Sequence, residues 1–284
     1  MTNTTPPRIS VIVPTCHRND LLAKCLDCLA PGTQTLPPEQ YEVIVTDDGS
    51  RSTAEELVRG QYPWVRWVAG PRKGPAANRN NGAKSARGQW LAFTDDDCLP
   101  SPGWLEAFAQ ASESGNVRVL EGKTTCEAGF PSPLYEAPIN LEGGLLWSCN
   151  FMVQADLFRK MGGQDENFAF YMEDIDFREC LRERGEVTQF VGMAAVDHPP
   201  RRQASGYKKG QAYEARVQHW YKKPQAQSLF VSFLHHVKHG VYRVGQFRRN
   251  RDTVIALISL LVETVYIAAH LPLWERKYHN RYRA

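Results

Sequence analysis

Short apolar runs alternate with helical repeats through the first hundred residues. Ile9, Val11, Ile12 and Val13 form a nearly unbroken apolar run before Pro14, the pattern of a strand covered on both faces. A polar stretch over 15–20 follows. In it Asn19 or Asp20 can cap a helix whose apolar positions are Leu21, Leu22, Cys25, Leu26 and Leu29. Pro31 and Gly32 end that helix. A second buried strand begins at Tyr41 and runs into Asp47 and Asp48, and a helix over 53–59 and a short strand over 65–68 come next. Strand, helix, strand, helix in this order predicts an α/β chain with a parallel sheet and right-handed crossovers. Ligands of such sheets gather at the carboxyl ends of the strands.

The most acidic of those ends closes the apolar run Trp90, Leu91, Ala92 and Phe93. Asp95, Asp96 and Asp97 stand there in a row, and Pro100 and Pro102 stop the strand from continuing. Three adjacent carboxylates repel one another, and at a strand end such a cluster calls for a cation. On extended backbone Asp95 and Asp97 share one side while Asp96 faces the other. A hard divalent ion taking one or two protein carboxylates plus phosphate oxygens fits that layout. Between the two acidic strand ends, residues 70–89 are rich in glycine, proline and small side chains and carry Arg72, Lys73 and Arg79. With Pro75 opening a helix, these cations suit a diphosphate clamp at a helix N-terminus. A GxGxxG or P-loop lysine motif is absent, so a dinucleotide oxidoreductase or a P-loop NTPase has no support.

Further on, a helix over 104–112, strands over 117–124 and 149–153 and a helix over 155–161 are expected. The Gly-, Pro- and aromatic-rich stretch 126–148 suits an acceptor-side loop region. Glu173, Asp174 and Asp176 fall in the first turn of another helix, where the helix dipole favours anions, and Asp176 or Glu173 is the expected cap. Edge strands over 187–191 and 194–196 lead into Asp197 and His198.

Near residue 222 the pattern changes, giving a main domain over 1–222 and a helical extension over 223–284. Leu229, Phe230, Phe233, Leu234, Val237, Val241 and Val244 line one face of a helix, with His235, Lys238, His239 and Arg243 on its other side. A basic polar face of this kind suits an anionic lipid surface. Residues 253–271 approach membrane-spanning length, crossed by a narrow polar stripe of Ser259, Glu263, Tyr266 and His270. Glu263 at mid-span would be expensive. Arg248, Arg249 and Arg251 before this segment, and Arg276, Lys277, Arg281 and Arg283 after it, run against the positive-inside tendency of a single span. The expectation is a helix in the cytoplasmic leaflet, with a single C-terminal span as the alternative and domain packing or a homodimer as the readings without a membrane.

Composition adds limits. The 284 residues are 42% hydrophobic and 23% charged, ordinary for a folded chain, and the net charge is only +3, with the basic residues crowding the last third. Seven cysteines are too few for a disulfide scaffold, and Cys25-x-x-Cys28 lacks the second pair that a zinc site needs. Residues 1–8 are polar and Pro-rich rather than signal-like, which predicts a cytosolic, reduced setting. The sequence carries no nucleic-acid recognition motif.

Taken in order, Val11 to Thr15, Thr46 to Ser50, Thr94 to Asp97, Gly162 to Glu166 and Glu173-Asp174 resemble the motifs of family 2 glycosyltransferases over roughly residues 8–205. The resemblance implies the GT-A fold, a Rossmann-like, mixed but mostly parallel sheet flanked by helices. It implies metal-dependent, inverting transfer of a sugar from a nucleotide diphosphate sugar, most often a UDP-sugar, to a hydroxyl of a glycan or lipid-linked acceptor. By the same resemblance, Thr15 and Asp47 or Asp48 hold base and ribose, and Asp95 and Asp97 match the DxD motif around Asp96. Asp97 is then the direct ligand of Mn²⁺ or Mg²⁺, Asp95 lies nearer the ribose, and Asp174 is the catalytic base. His198 stands where some members carry a histidine that completes the metal site. The chain departs from the family at Gln164, where phenylalanine is common. A nucleotidyltransferase of similar fold would need a Gly-rich basic loop where Pro14 to Arg18 stand, and a non-catalytic membrane module would not need Asp95, Asp97 and Asp174 together.

Overall fold

The computed structural model describes residues 6–51, 53–113, 115, 117–168, 170–223 and 228–282. In chain order the elements are β1 (Ile9–Thr15), α1 (Asn19–Leu29), β2 (Tyr41–Asp47), α2 (Glu55–Gln61), β3 (Val65–Ala69), α3 (Pro75–Ser85), β4 (Trp90–Phe93), β5 (Leu99–Pro100), α4 (Trp104–Ser112) and β6 (Val119–Thr125). They continue with β7 (Tyr135–Glu136), β8 (Phe151–Gln154), α5 (Ala155–Lys160), α6 (Glu173–Glu183), β9 (Thr188–Asp197), β10 (Arg201–Arg202), α7 (Gly206–Lys222), α8 (Leu229–Gly245) and α9 (Arg251–Tyr282). They form two compact units. The first comprises Met1–Glu127, Pro138–Ala169 and Glu173–Pro199; the second comprises Ala128–Ala137, Phe170–Met172 and Pro200–Ala284. The boundary expected at 222/223 falls between α7 and α8, inside the second unit.

The first unit is built on an eight-stranded sheet of order β3-β2-β1-β4-β8-β6-β9-β5. The strands β3, β2, β1 and β4 are parallel, as are β6 and β9; β8 and β5 run antiparallel to their neighbours. This is the mixed, mostly parallel sheet expected. Alternation along the central strands feeds two apolar layers. Ile9, Val11 and Val13 join Leu22, Leu26, Trp104 and Phe108 on one face, while Ile12 joins Ile44, Phe93, Phe151 and Phe177 on the other. That is why β1 reads as almost continuously apolar: each of its residues is buried.

The expected edge strands over 187–191 and 194–196 are one strand, β9, which lies inside the sheet between β6 and β5. The gap between them is a bulge: pairing with β6 jumps from Val191 opposite Gly122 to Ala195 opposite Lys123.

The second unit pairs β7 with β10 and packs α7, α8 and α9 around Tyr213, Val217, Ile267 and Trp274. A Cβ on Gly206 would lie 1.9 Å from the carbonyl oxygen of Ser259, and one on Gly210 would lie 2.8 Å from the Tyr266 ring. These two glycines, one turn apart, let α7 run close beside α9. Glu263 is buried and accepts from Lys209 Nζ at 2.9 Å and His236 Nε2 at 2.8 Å. The polar stripe on α9 therefore finds partners on α7 and α8 of the same unit.

Candidate active site

Parallel register sets the site. Thr15, the last residue of β1, lies opposite Asp47, the last of β2, and β4 beside them ends just before Asp95, Asp96 and Asp97. Asp47 and the three-aspartate run thus share one carboxyl edge of the sheet, as expected for a parallel topology.

The two carboxylates after β2 differ in use. Asp47 is buried and takes N–H groups of Gly49 at 2.7 Å and Ala54 at 2.6 Å, with the Trp67 indole N–H at 3.3 Å. It holds the turn together. Asp48 takes the N–H groups of Arg72 at 2.8 Å and Gly74 at 3.1 Å, which fastens the basic loop to the end of β2. Arg72, at φ 58°, and Lys73 have exposed side chains on that loop.

Arg79 lies elsewhere than on an exposed clamp. Its guanidinium is buried and donates to Asp95 Oδ1 at 2.7 Å and Glu173 Oε1 at 3.1 Å. Glu173 therefore bonds Arg79 across 94 residues of sequence, a role local helix capping did not suggest. Arg79 ties the end of β4 to the first turn of α6. The helix is held from below by aromatic packing, with Phe177 5.4 Å from Phe158 and 5.9 Å from Phe151, ring centre to ring centre.

A second cation, Arg18, was not singled out in the sequence. From the loop after β1 it donates to Asp96 Oδ2 at 3.1 Å and to Asp97 Oδ2 at 2.9 Å, and its third nitrogen stands 2.5 Å from Asp96 Oδ1 as an ion pair. Thr15 donates its hydroxyl to Asp96 Oδ2 at 2.7 Å. The clue available in sequence was a lone arginine on the loop that leaves the same sheet edge as the aspartates. A cavity of about 400 Å³ opens along His17, Arg18, Asn19, Asp20 and Leu21.

Five carboxylates (Asp95, Asp96, Asp97, Glu173 and Asp174) thus face two guanidinium groups, and the imbalance appears in their acidities. Burial works to raise the Asp95 carboxyl, but Arg79 outweighs it and holds the group below the usual carboxylate range. Asp96 is pushed up to about 7, first by burial, with Asp97 and Asp95 adding to it against Arg18 and Thr15. Asp174 is pushed up to about 6, by burial and then by the charge of Glu173, with Arg79 opposing. A carboxyl with a pKa near 6 is matched to proton transfer at neutral pH.

His198 comes to this edge from the end of β9. Its Nδ1 lies 3.0 Å from the Pro199 carbonyl oxygen, which can only accept, so this nitrogen is the donor of that bond. Its Nε2 faces Asp97 Oδ1 at 3.4 Å. A histidine whose other nitrogen is fixed by a carbonyl is in the usual form of a metal ligand. A carboxylate and an imidazole facing each other at this distance are donors that fit a divalent cation. Cys98 is also within reach, but burial and Cys149 keep its thiol well above the ordinary range, so it remains a neutral thiol.

Gln164, the departure from the family pattern, is buried and donates to Ser148 Oγ at 2.8 Å, while its backbone N–H goes to Asn80 Oδ1 at 2.9 Å. The buried amide is accommodated here by the Ser148 hydroxyl that receives it.

The comparisons with known proteins agree with this geometry. The family model described as glycosyl transferase family 2 matches residues 10–129. Glycosyltransferase AglE of Haloferax volcanii is 31% identical over 212 residues, which cover 69% of this chain and 68% of that protein. The chain spans only 24% and 21% of the length of two other curated relatives. Among solved structures, a mannosyltransferase from Pyrobaculum calidifontis in complex with GDP-Man and Mn²⁺ superposes with a TM-score of 0.57 at 17% identity, covering 95% of this chain and 76% of that one. S. aureus TarS 1–349 in complex with UDP gives 0.56 at 15% identity, with coverage of 96% and 91%. The fold is therefore that of the GT-A enzymes. With the archaeal relative matched along two thirds of both chains and the ordered motifs gathered on one sheet edge, this chain belongs to glycosyl transferase family 2 and is a glycosyltransferase.

Proposed function

We propose that this enzyme moves a sugar from a nucleotide diphosphate sugar, a UDP-sugar in the first instance, to a hydroxyl of a glycan or lipid-linked acceptor. It would do so with inversion, at the cytoplasmic face of a membrane, in the synthesis of a surface polysaccharide or glycolipid. The observation that carries the reading is the facing pair of Asp97 and His198, 3.4 Å apart, on the sheet edge that Arg79 links to the Asp174 helix. Nucleotide-bound structures of the same fold, one with UDP and one with GDP-Man and Mn²⁺, support the donor class.

Asp97 and His198 would hold Mn²⁺ or Mg²⁺, with Asp95 beside them. The ion, when bound, supplies positive charge for the departing diphosphate. Thr15 and Asp48 would hold the nucleoside, since Asp48 is half-buried whereas Asp47 is buried inside its own turn. Arg72 and Lys73, exposed on the loop fastened to Asp48, are free to meet phosphate. Asp174 accepts the proton of the attacking hydroxyl; an in-line displacement with a base on the acceptor side needs no covalent intermediate. The apolar C-terminal helix of the second unit supports a location at the membrane.

The test is a panel of nucleotide sugars screened for hydrolysis and for binding, with Mn²⁺, with Mg²⁺ and in EDTA. The reading requires one donor to bind and turn over only with a divalent ion. Binding of nucleoside triphosphates with pyrophosphate release, and no nucleotide-sugar turnover, would overturn it.

A further inference from the structure

We propose that the second unit docks into an anionic phospholipid leaflet through one exposed arc of α9, and that α9 lies in the membrane plane instead of crossing it. This rests on the membrane location proposed above and specifies its geometry. At roughly 100° per residue, Val254, Leu257, Ile258, Leu261, Val265 and Leu273 fall within one arc, and each is between 45% and 64% exposed. Ala256, Leu260, Glu263, Ile267 and Trp274 occupy the opposite side and are buried. The arc holds apolar residues along its middle, while exposed Arg251 and Arg276 fall on the same face, one beyond each end.

Length alone would let α9 span a bilayer. Its neighbours do not allow it. The helix α8 runs antiparallel to α9, with Gly240 against Leu260 and His236 bonded to Glu263. Exposed Lys238 is therefore level with the middle of the apolar stretch, more than about 10 Å from either end at 1.5 Å per residue. On the other side α7 runs parallel, with Gly206 against Ser259 and Gly210 against Tyr266, which brings exposed Lys208 to the same depth. A span would carry these ammonium groups to mid-bilayer, each lowering insertion by about a hundredfold. Lying flat, the apolar arc enters the leaflet while lysines on flanking helices extend to the headgroups.

Charge also separates lipid from a second copy of this chain. Pairing two α9 arcs in parallel sets Arg251 against Arg251, and pairing them antiparallel sets Arg251 against Arg276. Either arrangement brings like charges together, whereas anionic headgroups answer both ends.

The experiment uses the full chain with a biotin-acceptor peptide after Ala284, expressed with a cytoplasmic biotin ligase and purified for vesicle flotation. Expected are biotinylation in the cell and binding to phosphatidylglycerol vesicles at least tenfold tighter than to phosphatidylcholine vesicles. High salt should weaken that binding without abolishing it. Leu261→Asp and Val265→Asp should each lower partitioning by about tenfold or more, with the circular-dichroism melt and nucleotide binding unchanged. Membrane-bound chain whose peptide stays unbiotinylated, and is cleaved by protease outside spheroplasts, would mean a span: the membrane location stands and the in-plane geometry falls. Failure to float at low salt, with a dimer by light scattering that Leu261→Asp dissociates, would remove the membrane location itself.

Discussion

Replacing Asp174 with asparagine should make the protein more stable and nearly inactive. The carboxyl is held at about 6, against an ordinary value of 3.8, by burial and by Glu173 beside it. For a group raised in the folded state, the folded protein binds more protons than the unfolded chain between the two values. Stability is then complete below about pH 4 and declines as pH rises through about 6. A shift of about two units corresponds to about 3 kcal/mol at most. Asp174 keeps part of its surface open to water, so solvent screening reduces this to about 1–2 kcal/mol. Asparagine cannot ionise, so at pH 8 the variant should melt roughly 2–8 °C higher than wild type. Below pH 4 the difference should vanish. Transfer should fall by roughly 10²–10⁴-fold, the scale of a general base. Calorimetric melts at pH 4 and pH 8, beside a transfer assay, test both halves. A stability difference independent of pH would refute the burial argument, and near wild-type transfer would remove Asp174 as the base.

With wild type, kcat/KM should drop about tenfold per pH unit below about 6, as Asp174 takes up its proton; a flat profile down to pH 5 would contradict the assignment. Asp97→Ala should lose most donor affinity and nearly all turnover, and nucleotide-sugar affinity unchanged by EDTA in wild type would exclude the ion. Arg79→Ala leaves Asp95 and Glu173 without their shared cation and should destabilise by about 3–5 kcal/mol, read by urea titration. Arg79→Lys should recover only part of this, because one ammonium cannot serve both carboxylates in the planar geometry. Asp47→Ala should cost about 2 kcal/mol in a melt, by orphaning the buried Gly49 and Ala54 N–H groups, whereas Asp48→Ala frees the less buried Arg72 and Gly74 N–H groups to water and should be seen chiefly as weaker nucleotide binding in calorimetry.

Sequence reading was strongest where periodicity is local. The strand that ends at Phe93 and the helix over Leu22, Cys25, Leu26 and Leu29 follow from spacing alone, because one buried face or two leaves a direct mark on residue order. It was weaker where the fold joins distant segments. The bulge that makes β9 one strand depends on its pairing with β6, and nothing in Gly192 or Met193 announces that partner. Thr15 donating to Asp96 links positions 81 apart, and Arg18 reaches the aspartates across a similar distance. Each was visible as a residue of suitable type on a loop near the right sheet edge, but which carboxylate each meets is set by packing.

Arg79 shows how that packing changes a chemical assignment. On residue type it suits a phosphate, since arginine, a helix N-terminus and a Gly/Pro loop are the parts of an anion site. The fold instead buries it between Asp95, on the DxD side, and Glu173, beside the proposed base. Its positive charge lowers Asp95 and opposes the rise that burial and Glu173 impose on Asp174, so a single guanidinium acts on the acidity of both carboxyls. Under the proposed function, phosphate would fall to the exposed Arg72 and Lys73, on the loop that Asp48 holds. Separating the two tasks has a physical basis: a buried arginine already paired with two carboxylates has little net charge to offer an incoming diphosphate. It can instead keep those carboxylates in place whether or not the donor is bound.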